Sequence, residues 1–406
     1  MLPEKLNILL VSYEFPPSNR IGARRWGKFY EELNRCCKSI YVLTRENKGI
    51  SSENIYFFKA NYPGILDTQP SNFTDKILYK LALVKQKIVT KGSLYDKTAR
   101  LKGEVEKKLR HILLKKNIDV VIATGAPFSL TYYVLKFKSE FPKIKFVVDL
   151  RDPWTWGSIY GFSSITEKRK QFELGMEKFV CENADLLTAP SQKMLDYLKS
   201  TYSIKSTYLL PHGFQKNNFK LVEKNRKEVS TNLKLIYGGT VYSNLKNEFD
   251  ILFELLNDKE LDFLVNFYTN QFSYYSPEIL KELKGKFEVK SLLTEEKFFE
   301  KLVDADYYLL FYPSQYKDFI SSKFYEIVYA KIPIILICEH GLVSAFITEN
   351  KLGIHYEPCS WKNALKDLIL QKTEIKINNS FAIEEFEYGN ISNELLKRVS
   401  DLYGNS

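Results

Sequence analysis

The chain is poor in the residues that staple small folds or hold metals. Five cysteines, Cys36, Cys37, Cys181, Cys338 and Cys359, are spread over 406 residues, and none stands at a metal-ligand spacing. Only Cys36 and Cys37 adjoin, and sequence neighbours rarely bridge, so a disulfide framework is excluded as the organising device and a reducing compartment is expected. No apolar run approaches the roughly 20 residues that span a bilayer. The first residues run straight into a strand without a leader-like pattern, which points to a cytoplasmic protein. Short repeats and low-complexity tracts are lacking as well. What remains is an ordinary globular composition in a chain too long for one core, and two domains are expected.

Acidic residues are also in short supply. Fifty-nine Lys and Arg face 49 Asp and Glu, giving a formal charge of +10. The excess is concentrated: between Lys80 and Lys116 twelve basic residues stand against three acidic ones. Leu81, Leu83, Val84, Ile88, Leu94, Tyr95, Leu109 and Leu113 interleave with them, which reads as one or two basic amphipathic helices. Such a surface suits an anionic membrane leaflet or a nucleic acid. A solvated helical face over a core stripe fits the same pattern.

Apolar runs of buried parallel-strand type recur along the chain, each followed by a turn and a helical pattern. The first, Leu6 to Tyr13, leads into a Pro/Gly loop and then Arg20-Ile-Gly22-Ala-Arg24-Arg25. In a doubly wound sheet that turn lies at the carboxyl ends of the strands, where ligands bind. Gly22 with Arg20, Arg24 and Arg25 offers open backbone and guanidinium forks suited to phosphate. A second such place is Asp149-Leu-Arg151-Asp152-Pro-Trp154, where a strand ends in two acids, an arginine and a tryptophan. Asp149 and Arg151 fit a local ion pair equally well, and Trp154 fits packing as well as recognition. A polar stretch over 215–232 marks a linker. Beyond it the pattern restarts: a strand enters Gly238-Gly239-Thr240, with Lys246 at the start of the next helix. Paired glycines admit a phosphate close to the backbone.

The most informative stretch follows the apolar strand Tyr307 to Phe311. Asp318 lies in a loop, Ser321 and Ser322 sit where a helix N-cap belongs, and Lys323 and Glu326 fall in the first turns before Pro333 opens another strand. Free N–H groups, the helix dipole and an ammonium at one point make an anion site. Ser321, Ser322 and Lys323 are thus candidates for a diphosphate, and the two carboxylates for hydroxyls. The same residues would also cap and solvate an ordinary helix.

This stretch resembles the donor site of retaining family-4 glycosyltransferases, whose pattern has two Glu separated by seven residues ahead of an Ala-Gly/Lys-x-Pro strand. Asp318 stands here where the family has Glu. The loop at Pro16-Pro17 to Arg25 is similar to the family's N-terminal Pro-Pro-x-x-Gly-x-x-Arg segment, with Ile21 where a second glycine is usual. Ala126-Pro-Phe-Ser129 and Asp149-Leu-Arg-Asp-Pro-Trp154 resemble signatures of a bacterial branch of these enzymes. His212 departs from the family's Pro-Asn-Gly near the hinge and is read as a structural hydrogen bonder.

The resemblance implies the GT-B fold, α/β with two Rossmann-like domains facing a cleft. Residues 1–214 would bind the acceptor and 215–385 the nucleotide-sugar, with a final helix, 386–406, crossing back to the first domain. It implies transfer of a sugar to a hydroxyl of a glycan or lipid-linked glycan, with retention, in surface polysaccharide synthesis. Donor contacts would come from Gly238, Gly239, Thr240, Lys246, Ser321, Ser322, Lys323 and Glu326, and acceptor contacts from Arg20, Gly22, Arg24, Arg25, Asp149, Arg151 and Trp154. Asp152, Asp318 and Lys323 are the implied catalytic residues. No Asp-x-Asp stands at a strand end, so no metal and no cofactor beyond the nucleotide-sugar is expected, and Lys246, Lys323 and helix N–H groups would meet the leaving-group charge. Peripheral contact with an anionic membrane is an expected partner interaction. Two rivals remain open: a nucleotide-sugar epimerase or hydrolase of the same fold, and a non-catalytic scaffold or nucleic-acid binder that uses the basic face.

Overall fold

The computed structural model describes residues 6–18, 20–46, 53–60, 64–67, 70, 72–89, 97–98, 101–157, 162, 165–216, 233–242, 244–269, 272, 277–283, 285–371 and 374–404. Most of the expected linker (217–232) and the middle of the basic segment (90–96, 99 and 100, with Leu94 and Tyr95) lie outside the described residues.

The chain divides into two compact units, Met1–Pro211 together with Tyr388–Ser406, and His212–Glu387. In the first, the strands β1 (Asn7–Val11), β2 (Ser39–Arg45), β3 (Ile55–Phe58), β4 (Val120–Gly125), β5 (Lys145–Leu150), β6 (Leu186–Ala189) and β7 (Thr207–Leu209) form one parallel sheet in the order β3-β2-β1-β4-β5-β6-β7. In the second, β8 (Leu233–Gly238), β9 (Phe263–Tyr268), β10 (Phe287–Lys290), β11 (Tyr307–Phe311), β12 (Ile334–Ile337) and β13 (Gly353–Tyr356) form another, in the order β10-β9-β8-β11-β12-β13. Both are the α/β parallel sheets that the alternating pattern predicts.

Helices cover both faces of each sheet, so the strands are apolar at nearly every position. Leu9 and Val11 of β1 enter one core and Ile8 and Leu10 the other. In β12, Ile335 and Ile337 face one side, and Ile334 and Leu336 the opposite one. The period of two sends alternate side chains to opposite faces. The final helix, Tyr388–Gly404, buries Tyr388, Ile391, Leu395 and Val399 at helical spacing. Tyr388 meets Phe29 of the helix Ile21–Cys36 edge to face, at 4.9 Å between ring centroids, which ties the chain's end to the first unit.

In both sheets strand order reverses beside the first strand of the unit, between β1 and β4 and between β8 and β11. The carboxyl ends of those strand pairs are where an open parallel sheet leaves a crevice.

Candidate functional site

In the second unit β8 and β11 lie side by side, Tyr307 opposite Leu235 and Tyr308 opposite Ile236. The glycine loop after one strand and the serine loop after the other therefore leave the sheet at the same point. Two tyrosines shape these loops, Tyr308 buried and Tyr312 half-buried. The Tyr308 hydroxyl donates to the Gly238 carbonyl (2.9 Å) and stands 3.3 Å from the Gly238 amide. The Tyr312 hydroxyl donates to the Phe319 carbonyl and accepts from the Ser321 amide, both at 2.9 Å, which fixes the approach to the helix Ser322–Tyr329. Burial pushes both phenols up, so they remain neutral donors.

Gly238 has a steric reason to be glycine: a Cβ there would lie 2.3 Å from the Phe298 ring. Gly239 has a conformational one, with φ at +153°. The ring that Gly238 admits lies beneath Lys323, whose Nζ is 5.3 Å from its centroid. The same Nζ is 3.9 Å from the position a Gly239 Cβ would take. The ammonium is thus aimed at the glycine loop.

Ser321 is the N-cap, yet its side chain makes no capping bond. An ordinary capping serine would accept from an amide of the first turn. Glu326 is only 7% exposed, and its carboxylate, after burial itself and the neighbouring Tyr312, helps raise the Tyr308 hydroxyl. A solvated helix start would not bury its carboxylate in this way. Thr240 is exposed, and its carbonyl accepts from the Tyr237 hydroxyl at 2.6 Å. Lys246 opens the helix Lys246–Asn257 and pairs with Asp250 at 2.8 Å on the surface, an i,i+4 contact that is cheap to exchange for a ligand.

Asp318 makes a contact that no sequence pattern announces. Its Oδ1 accepts from the Leu342 amide at 3.1 Å, at the start of the helix Leu342–Glu349. The N-cap of that helix is Gly341, which has no side chain to offer, so Asp318 supplies the cap from another loop. The geometry gives this carboxylate a positioning contact beside the catalytic role expected of it.

In the first unit the equivalent sheet end carries Glu14, Arg20, Gly22, Arg24, Arg151 and Asp152. Arg151 donates to Asp152 through Nε at 2.8 Å and Nη2 at 2.5 Å, and the pair is part-exposed. A Cβ on Gly22 would lie 2.4 Å from Arg151 Nη1, so this glycine admits the guanidinium over the first turn of the helix Ile21–Cys36. Arg20 and Arg45 both reach Glu14, at 3.2 and 3.0 Å. Neither Glu14 nor Arg45 was singled out by sequence, because a lone acid after a strand carries no pattern.

Three expected acceptor residues prove internal. Arg25 and Asp149 are 1% and 0% exposed and pair at 3.4 Å. Arg25 also donates to the Leu210 and Pro211 carbonyls (2.7 and 2.8 Å), and Asp149 accepts from Trp26 Nε1 and Thr188 Oγ1, each at 2.9 Å. Those partners occupy the groups an acceptor would need; the pair braces β5 against the end of β7. Trp154 is likewise buried, stacked on Phe128 at 5.0 Å with Nε1 donating to Glu173 at 2.7 Å. Packing, the alternative left open by the sequence, holds for it.

The helix Phe73–Val89 of the basic segment is unusual among the described residues. Phe73, Ile77, Leu81, Val84 and Ile88 follow one another at spacings of three and four, and with Leu78 they are between 44% and 78% exposed. Lys76, Lys80 and Lys85 are exposed on the same helix. No helix among the described residues is long and apolar enough to cross a membrane.

No protein-family model and no curated sequence matches the chain. Solved structures do. The chain is similar to a sucrose-phosphate synthase from Thermosynechococcus elongatus, with a TM-score of 0.64 and 13% identity over 99% of this chain and 100% of that one. It is similar to a trehalose-6-phosphate synthase studied for glycosyltransfer with retention, with a TM-score of 0.62 and 12% identity over 97% and 99% of the two chains. A UDP-N-acetylglucosamine 2-epimerase matches with a TM-score of 0.56 and 12% identity over 99% and 97%. At such identities the likeness establishes the fold, and that fold is GT-B.

Proposed function

We propose that the protein is a glycosyltransferase that moves a sugar from a nucleotide-sugar donor to a hydroxyl of a glycan or lipid-linked glycan, with retention, in the synthesis of a surface polysaccharide. The observation that carries this reading is the aim of Lys323 at the Gly239 loop. One ammonium, the amides of a helix start and an open glycine turn converge where a diphosphate would sit. Gly238, Gly239, Thr240, Ser321 and Ser322 would cradle the phosphates, with Lys246 released from Asp250 to join them. Glu326 would accept from sugar or ribose hydroxyls.

As the bond between the anomeric carbon and the phosphate oxygen lengthens, charge grows on the leaving diphosphate. Lys323 and the helix dipole stabilise it in place of a cation. The acceptor oxygen bonds the anomeric carbon on the same face, and its proton passes to the departing phosphate oxygen. Asp152, oriented by Arg151, is assigned to the acceptor hydroxyl, and Arg20 and Arg24 to an anionic part of the acceptor. Asp318 holds the loop after β11 to the helix Leu342–Glu349.

The helix Phe73–Val89 supports a lipid-linked acceptor. An exposed apolar stripe flanked by lysines suits the boundary of an anionic bilayer, where the stripe leaves water and the ammonium groups meet headgroups. Nucleic acid would have no use for that stripe.

Similarity to an epimerase keeps a second reading in view, in which the same cradle holds a nucleotide-sugar that is isomerised or hydrolysed without an acceptor. Incubation with a panel of nucleotide-sugars, with and without a lipid extract, separates the two. Transfer predicts nucleoside diphosphate release that depends on the extract. Release of free sugar or an altered sugar nucleotide in its absence would replace the proposal.

A further inference from the structure

Two of the four histidines in the chain meet outside the diphosphate cradle. His340 follows β12 and His355 lies in β13, its backbone opposite Leu336 of β12. Glu357 is the second residue after it. One ring nitrogen from each histidine and one Glu357 carboxylate oxygen all lie within 4.8 Å of one another, and His355 Nε2 is 4.0 Å from Glu357 Oε1. We propose that His340, His355 and Glu357 form a binding site for one divalent transition-metal ion of the zinc class.

The hydrogen bonds around the two rings favour ligation. His355 Nε2, the nitrogen 4.0 Å from Glu357, also lies 2.8 Å from the Cys338 carbonyl, which can only accept; Nε2 therefore carries the proton, and Nδ1 keeps the lone pair and is the nitrogen an ion would take, with the Glu357 side chain swinging toward it. The Ser344 hydroxyl donates to the Gly341 carbonyl at 2.9 Å, so it accepts from His340 Nδ1 at 3.4 Å and leaves the lone pair on Nε2. A ring that donates one N–H to a backbone or hydroxyl oxygen while offering its other nitrogen is the arrangement metal-ligating histidines use.

Two imidazoles and one carboxylate suit zinc, cobalt or nickel; magnesium and calcium prefer oxygen alone. Ligand bonds of about 2.0–2.2 Å require the three atoms to draw in to about 3.3 Å of one another. His340 is exposed and the Glu357 side chain is 42% exposed, so both can swing. Three protein ligands leave a fourth position for water. A bound ion would pin the loop after β12 to β13, beside the Leu342 amide that Asp318 caps. The site lies along the same edge of the sheet as the cradle and is separate from it; it stands whether or not the chain transfers sugar.

The test is titration of the chelator-stripped full-length protein with Zn(II) and with Co(II), followed by calorimetry, thermal melting and the visible absorption of bound cobalt. One equivalent is expected to bind, raising the melting temperature and giving the intense absorption of cobalt with few ligands. His340→Ala and His355→Ala should each weaken binding by about 10-fold or more, while melting unchanged without metal. Cys359→Ser, which removes an exposed thiol nearby, should leave binding intact. Failure to bind one equivalent, or binding that both histidine substitutions leave unchanged, would overturn the site.

Discussion

Lys323 and Glu326 are asked to do different work, and substitutions should separate them. Lys323→Ala removes a charge-assisted contact worth about 1.5–3 kcal/mol, so nucleoside diphosphate affinity should fall about 10- to 100-fold. Turnover should fall further, because the charge on the diphosphate is greatest in the transition state. Glu326→Gln should chiefly raise the KM for the nucleotide-sugar. Equal small effects of both on kcat and KM would argue against these roles. Asp149 belongs to a different class. Converting it to Ala leaves Arg25 buried without its counter-ion, at a cost of about 3–5 kcal/mol. The expected outcome in chemical denaturation is loss of stability, whereas an acceptor residue would lose activity in a protein that melts normally. Asp149 and Asp152 fall in one polar motif at the end of β5, and the sequence alone does not separate them. What distinguishes Asp149 is depth: its carboxylate meets Trp26 and Arg25 of the helix Ile21–Cys36 and Thr188 of β6, and a partner set assembled across more than a hundred residues leaves no local pattern.

Among elements, the helix Phe73–Val89 carries the most testable claim. Replacing Leu81 and Ile88 together by Glu adds charge to exposed positions, so stability should change by less than about 1 kcal/mol. Cosedimentation with vesicles containing anionic lipid should be lost, and binding by the unaltered protein should weaken as salt rises. Undiminished vesicle binding by the double variant would remove the membrane from the account. The basic, amphipathic character of this segment was legible from spacing; which face is open was not, since a stripe at positions 73, 77, 81, 84 and 88 looks the same whether it meets a core or water. Strands were easier to read. A parallel strand covered on both faces, such as Ile334–Ile337, is apolar throughout and is bounded by turn residues. Tyr308 and Tyr312, which hold the two loops of the cradle, were hidden by that same logic, because a tyrosine within an apolar strand or directly after it reads as packing.

The whole molecule consists of two α/β units, each with its own sheet and cores, and the chain's last helix belongs to the first of them. Ending the chain at Glu387 would strip Tyr388, Ile391, Leu395 and Val399 from that unit. At about 1.5–3 kcal/mol for each buried side chain, the loss rivals the total stability of an ordinary domain. The truncated protein should show an early melting transition in calorimetry that the full chain lacks; a single unchanged transition would contradict this assignment. The parallel architecture and the strand-end loops were readable from alternating patterns, while the sugar, the base and the acceptor are set by side chains that no motif fixes. The central claim, that the loops after β8 and β11 hold a diphosphate beneath Lys323, is tested most directly by calorimetric titration of nucleoside diphosphates into the unaltered protein, Lys323→Ala and Gly239→Val. The account predicts a single site whose affinity drops at least about tenfold in both variants; equal affinity in all three proteins would contradict it.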